Sequence, residues 1–249
     1  MTASFEGKTA LVTGGTRGIG FGIAAEIVAG GGVVCITARK PDELAEAVER
    51  LGGEDVALAV RGSADDAAHR ADAVAQTVKR FGSLDLLVNN AAVNPHYGPV
   101  MEAPLDAVRK VFEVNVTGML AWAQEAWKAW MAEHGGAVLN VASVGGVRNG
   151  PMIGVYNISK AAVIHMTRQM GQEMGPGVRV NAIAPAVVKT DFAKALYEGR
   201  EEKVAAAYPL KRLGRPEDTA KLAAFLLSDD ASWITGETVV IDGGVTVAG

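Results

Sequence analysis

Thr9-Ala10-Leu11-Val12-Thr13-Gly14-Gly15-Thr16-Arg17-Gly18-Ile19-Gly20 is a short apolar run that stops in a glycine cluster and restarts as a helical pattern running to Ala29. An apolar run of this length bounded by turn residues predicts a strand buried on both faces. A glycine-rich turn directly between a first strand and a first helix supplies close backbone approach and unpaired N–H donors, which is what the pyrophosphate of a dinucleotide requires. The spacing is G-x-x-x-G-x-G rather than G-x-G-x-x-G, so the loop is expected to be one step longer than the general fingerprint. Gly14, Thr16, Arg17, Gly18, Ile19 and Gly20 are therefore candidate cofactor contacts.

The same alternation continues to the end of the chain. Strand signals recur at Val33 to Thr37, Val56 to Val60, Leu84 to Val88, Ala137 to Val141, Val178 to Ala184 and Thr238 to Ile241. Helical patterns lie between them at Pro41 to Leu51, Asp65 to Phe81, Pro104 to Glu133, Val155 to Met174 and Pro216 to Ser228. Continuous apolar strands alternating with helices predict a doubly wound α/β domain, a mainly parallel seven-stranded sheet of Rossmann type with helices on both faces. No linker or repeat divides residues 1–249, so one domain is expected to carry both cofactor and chemistry.

The 249 residues suit one such domain, and 49% hydrophobic with 21% charged residues is an ordinary globular balance. A net charge of -4 gives no broad basic field for nucleic acid or anionic membrane. The single cysteine, Cys35, sits in the apolar run Val33-Val34-Cys35-Ile36 and reads as a core residue. No metal cluster is expected. The first residues lack a signal-peptide pattern, no stretch is long enough to span a bilayer, and Val247-Ala248-Gly249 is not a peroxisomal address; the expected location is cytoplasmic.

At the end of the second strand an acidic side chain suits the free 2′-hydroxyl of NAD, whereas arginine suits the 2′-phosphate of NADP. Here the chain reads Thr37-Ala38-Arg39-Lys40. With Arg17 able to approach the same phosphate, NADP(H) is the favoured cofactor and NAD(H) the alternative.

Tyr156 and Lys160 are four residues apart in a helical segment and share one face. A nearby ammonium lowers a phenol's pKa from near ~10 toward the range acid–base work requires. A Tyr-x-x-x-Lys pair alone is common; its context is Ser143, just past the strand ending at Val141, and Asn115 within the preceding long helix.

With these motifs the chain resembles the short-chain dehydrogenase/reductase family over essentially its whole length. The matching features are the glycine loop, Asn89-Asn90-Ala91-Ala92, Asn115, Ser143, Tyr156 with Lys160, and Pro185 through Thr190. The resemblance implies that Tyr156 exchanges the proton with the carbonyl oxygen, that Ser143 hydrogen-bonds that oxygen, and that Lys160 binds the nicotinamide ribose and depresses the tyrosine pKa. It implies that Asn115 holds a water through a local helix distortion, linking Lys160 to solvent. Asn89 to Ala91 would run beside the adenosine ribose, and Pro185, Val188 and Thr190 would meet the nicotinamide end. The usual Asn-Asn-Ala-Gly and Pro-Gly read Ala92 and Ala186 here. Where an Asp often contacts adenine, the chain has Arg61-Gly62-Ser63-Ala64, leaving backbone groups of Gly62 or Ser63 for that contact.

Candidate substrate contacts are Ser143, Val144, Asn94, His96, Met152 and Phe192. The segment from Phe192 to Tyr208 is read either as a lid or as ordinary surface helices. A mainly apolar lining favours a small apolar carbonyl/alcohol pair, and His96 reads as a polar wall residue rather than an acid–base group. Ala132-Glu133 and Gln172 stand where ketoacyl reductases serving an acyl carrier protein tend to be basic, which argues against such docking and leaves reduction of 3-ketoacyl groups on acyl carrier protein or CoA as the alternative; a non-catalytic dinucleotide sensor is a further one. Asn89 to Pro95 and Asp229 to Thr238 are similar to NADP-dependent carbonyl and retinal reductases. Trp122, Trp127 and Trp130 read as core, and family resemblance alone implies a homotetramer.

Overall fold

The computed structural model describes residues 3–248. Seven strands form one sheet: β1 (Thr9–Thr13), β2 (Val33–Ala38), β3 (Ala57–Arg61), β4 (Leu86–Asn89), β5 (Gly136–Val141), β6 (Val178–Pro185) and β7 (Thr238–Ile241). Their order is β3-β2-β1-β4-β5-β6-β7, and all six pairings are parallel. The expected seven-stranded doubly wound sheet is thus present, parallel throughout.

Side-chain alternation sorts each inner strand between two cores. Ala10 and Val12 of β1, with Val34 and Ile36 of β2, face Ile23 and Ile27 of α1 (Gly18–Ala29), Leu44 of α2 (Pro41–Leu51) and Leu226 of α10 (Pro216–Leu227). Leu11 and Cys35 point the other way, toward Val74 of α3 (Ala67–Phe81), Trp122 of α5 (Gly118–Ala126) and Met170 of α7 (Gly154–Glu173). Both faces are dry, which is why the strands read as unbroken apolar runs. Cys35 is fully buried, and desolvation pushes its thiol up to about 12.

The helix ends follow their local chemistry. Pro41 opens α2, whose first turn carries Asp42 and Glu43, and Gly52 ends it in the left-handed region. The Asp66 carboxylate caps α3 by accepting from the Ala68 N–H, so this helix starts two residues later than the sequence suggests. The long helix expected from Pro104 to Glu133 is one rod in five pieces: α4 (Leu105–Phe112), a π turn (Glu113–Thr117), α5, a second π turn (Trp127–Met131) and α6 (Ala132–His134). π turns insert a residue into the ladder and re-aim the side chains around them.

Of the three tryptophans expected in the core, Trp122 is buried, while Trp127 is 36% exposed. Trp130 is partly buried and stacks on His134 at a centroid separation of 3.7 Å. Arg179 of β6 donates to the carbonyls of Leu226, Leu227 and Ser228, satisfying the open end of α10. The segment from Phe192 to Tyr208 folds into two short helices, α8 (Lys194–Tyr197) and α9 (Glu201–Ala206).

The sheet reverses its winding between β1 and β4. Ligands of open α/β sheets bind in the crevice beyond the carboxyl ends of the strands at such a switch point.

Candidate active site

A cleft of about 370 Å³ lies at that crevice, and its walls come from the glycine loop, the ends of β2 to β6, α7 and the segment around Phe192. Its floor is tied together by Thr13. The Thr13 hydroxyl accepts from the Asn90 and Ala91 N–H groups at 3.0 and 3.1 Å and donates to the Val88 carbonyl at 3.2 Å. The Asn90 amide returns to the Thr13 and Gly14 carbonyls at 2.9 and 3.0 Å. The end of β4 and the glycine loop are thereby fixed as one unit.

The loop has the shape an anion needs. Gly18 has φ +58, and a Cβ there would meet Thr190 Cγ2 at 3.0 Å. A Cβ on Gly20 would lie 2.4 Å from the Gly14 carbonyl oxygen, so glycine lets α1 pack against the loop it follows. Arg17, the N-cap of α1, provides no side-chain cap, leaving first-turn N–H donors for a ligand. Arg17, Arg39 and Lys40 line the far end of the cleft. Open donors on a glycine loop and three cations beside it fit a dinucleotide carrying phosphate groups.

At the other end stand Ser143, Tyr156 and Lys160. Ser143 follows β5 directly and its Oγ accepts from the Gly145 N–H at 3.1 Å. Tyr156 and Lys160 are one turn apart on α7, with the ammonium 5.6 Å from the tyrosine ring centroid. Lys160 is buried, and its Nζ donates to the Val141 carbonyl at 2.7 Å. Burial pulls its pKa down to about 7. Burial also pushes the Tyr156 phenol up to about 12, opposed by the neighbouring Ser143 hydroxyl. Lys160 spends this hydrogen bond on the Val141 carbonyl rather than on the phenol, and burial is the larger influence on Tyr156.

Asn115 sits in the first π turn, completely buried. Its Oδ1 accepts from the Val93 N–H at 2.9 Å, and its Nδ2 donates to the Val93 carbonyl and to Ser159 Oγ, both at 3.1 Å. The side chain clamps a cleft-wall residue and makes no hydrogen bond to Lys160.

Most of the residues singled out from sequence converge on this cleft: Gly14, Thr16, Ile19, Gly62, Ser63, Ala91, Pro185, Val188 and Thr190 join Arg17, Gly18, Arg39, Ser143, Tyr156 and Lys160, with Val144 and Phe192 beside them. The Phe192 ring lies 6.0 Å from that of Tyr156. Asn89 instead is buried behind the wall, donating to the Met119 carbonyl at 3.1 Å and to Asn140 Oδ1 at 3.0 Å. Gly20, Asn115, Asn94, His96 and Met152 also lie off the cleft lining; His96 is beside the Pro99 carbonyl, and Met152 has φ 70 in a neighbouring turn.

Sequence reasoning missed Lys40, Glu43, Asp65 and Lys110, which all border the cleft. Lys110 of α4 and the Ser63 hydroxyl both donate to Asp65 and hold its carboxyl down at about 2. No local pattern signals that pair, since its members are 45 positions apart. Glu43 carried a signal, an acid in a helix first turn next to a phosphate-binding loop.

Fold and site together define a dinucleotide-binding α/β protein with a serine, a tyrosine and a buried lysine at one end of its cleft. The family described as "Enoyl-(Acyl carrier protein) reductase" matches residues 14–246. The chain is 38% identical to dehydrogenase/reductase SDR family member 4 of Bos taurus over 96% of this chain and 87% of that one. It is 39% identical to tropinone reductase-like 3 of Erythroxylum coca, covering 96% and 93%. A solved short-chain dehydrogenase/reductase of Brucella melitensis, described as a glucose/ribitol dehydrogenase, superposes with a TM-score of 0.93 at 29% identity, covering 98% and 99%. One from Mycobacterium ulcerans does so at 0.91 and 34% identity, covering 98% and 91%. This chain belongs to the short-chain dehydrogenase/reductase family and is an oxidoreductase of the kind that uses NAD(P)(H). Among the described residues no helix is long and apolar enough to cross a membrane.

Proposed function

We propose that this chain interconverts a small, mainly apolar carbonyl compound and its secondary alcohol, with NADP(H) as the preferred cofactor and Tyr156 as the general acid/base. The observation that carries the proposal is the sharing of one cleft by the glycine loop and by Ser143, Tyr156 and Lys160. The dinucleotide supplies or takes up the hydride.

The protein's own groups handle the oxygen and its proton. In reduction the Tyr156 hydroxyl gives its proton to the carbonyl oxygen; in oxidation it takes that proton back. A phenol kept neutral by burial holds the proton that reduction consumes. Ser143 donates a hydrogen bond to the same oxygen, favouring the negative charge that develops there. Lys160 spends one donor on the Val141 carbonyl, which locks its rotamer and leaves two N–H groups for ribose hydroxyls. Asn115 acts through Val93, holding the wall opposite.

Substrate class follows from the lining. Val93, Val144, Val187, Phe192, Leu196 and Tyr208 surround the catalytic end, so an apolar substituent is favoured over a charged one. Arg17, Arg39 and Lys40 support NADP(H). Half-exposed Leu120 and Trp127 on the long rod and Ile158 on α7 are in keeping with a homotetramer built on those helices.

The test is oxidation of NADPH and of NADH, followed by absorbance, over a panel of apolar ketones, aldehydes and dicarbonyls, with acyl-carrier-bound ketones included. Turnover of the free apolar carbonyls with NADPH is expected. Turnover confined to carrier-bound ketones would replace the substrate assignment, and cofactor binding without turnover on any of them would favour a sensor.

A further inference from the structure

The end of β2 offers no acid, yet the fold brings one to it from the next turn of chain. Glu43, in the first turn of α2, lines the cleft beside Arg17, Arg39 and Lys40. Its Oε1 lies 2.7 Å from Lys40 Nζ and 3.3 Å from Arg17 Nη1. Its side chain is 30% exposed, open enough to meet a ligand. The Lys40 hydrogen bond, supported by the charge of Arg17, holds its pKa below the usual carboxylate range despite partial desolvation, and a helix N-terminus favours the same anionic form. Arg17 is shared with a second carboxylate, Asp191 at 3.6 Å across the cleft.

Two of the three cations that recommend NADP(H) are therefore already paired with acids. An ionised carboxylate can only accept hydrogen bonds, and a 2′-hydroxyl can donate one. A phosphate also only accepts, so it is repelled by Glu43 and attracted by its partners. Each version of the adenosine ribose thus finds a group of the right kind in the same cluster.

We propose that Glu43 gives this chain a second cofactor mode: its carboxylate accepts the 2′-hydroxyl of NAD(H), while the 2′-phosphate of NADP(H) draws Arg17 and Lys40 away from it. The inference rests on the reading of the cleft as a dinucleotide site with NADP(H) preferred. It makes Glu43 the residue that sets how far that preference extends.

The test is calorimetric titration of the whole protein with NADPH and with NADH, comparing the wild type with Glu43→Gln. Glutamine keeps an accepting oxygen but not its charge, so a charge-assisted hydrogen bond becomes a neutral one and NADH binding is expected to weaken by about three- to tenfold, with NADPH binding unchanged or tightened. Tightening of both cofactors would mean that Glu43 acts only as background negative charge, and equal weakening of both would mean a role in shaping the loop; either overturns the proposal. So does an unchanged NADH affinity. The wild-type ratio separately tests the preference for NADPH: a wild type that binds NADH more tightly contradicts that preference while leaving the Glu43 comparison readable. A wild type that binds neither removes the dinucleotide reading and this inference with it.

Discussion

Asn115 and Val93 are joined through both backbone polar groups of Val93: the Asn115 amide accepts from its N–H at 2.9 Å and donates to its carbonyl at 3.1 Å. Asn115 lies within the π turn of Glu113–Thr117.

Replacing Asn115 by Leu removes both bonds and the one to Ser159 while keeping the branching of the side chain. Buried groups left unpaired cost about 1–3 kcal/mol each, partly offset by relaxation, so a loss of about 2–4 kcal/mol is expected in urea unfolding. Because Val93 lines the cleft, kcat/KM should fall by at least about tenfold in the molecules that remain folded. An unfolding midpoint equal to wild type would contradict the clamp.

Lys160 sets a pH dependence of stability. Its pKa is about 7 when folded against the ordinary lysine value of 10.5, so between those values the unfolded chain binds more protons than the folded one. Stability therefore rises with pH across that window, and below it the cost of burying the ammonium is fully present. Tyr156, raised to about 12 from 10.0, works oppositely above pH 10, where the folded state keeps a proton that the unfolded chain gives up. Lys160→Met should flatten the slope between pH 7 and 10, measured by chemical unfolding at several pH values. An unaltered slope would place the lysine's titration elsewhere.

Asp65 contributes at the acid end. Its folded pKa of about 2 lies below the ordinary aspartate value of 3.8, so its stabilisation is present above 3.8 and is lost as pH falls toward 2. Asp65→Asn should abolish that part of the acid transition. At neutral pH, with Lys110 half-exposed, the loss is expected to stay near or below about 1 kcal/mol.

Arg39→Ala tests the favoured cofactor. Hydrogen bonds to charged groups are worth about 1.5–3 kcal/mol, so the Kd of NADPH should rise by at least about tenfold while that of NADH changes little. Equal changes for both would remove Arg39 from the recognition of a 2′-phosphate.

How much of this was legible in sequence depended on where each signal resides. The sheet was readable because strands such as Thr9–Thr13 and Val33–Ala38 are buried on both faces and so announce themselves as apolar runs. Boundaries shifted where a cap decided them, as Asp66 does for α3. The π turn at Asn115 was expected only through the family resemblance, as a local helix distortion, and the second left no trace, because π-turn residues keep helical dihedrals on either side and differ only in hydrogen-bond register. Ser143, Tyr156 and Lys160 could be placed because short spacings tie them to one strand end and one helix. Asn89 could not: its position beside a cleft residue, Asn90, hid the fact that alternation turns it into the core toward Asn140. The Glu43 and Asp65 clusters join segments brought together only by the fold.

The central claim, that Tyr156 moves the proton while the rest of the cleft binds, is tested most directly by Tyr156→Phe. NADPH consumption with the best apolar carbonyl substrate should drop by at least about a hundredfold, the range for a lost general acid, with NADPH binding by calorimetry and the unfolding midpoint close to wild type. Turnover retained within a few-fold of wild type, in a variant that still binds NADPH, would contradict it.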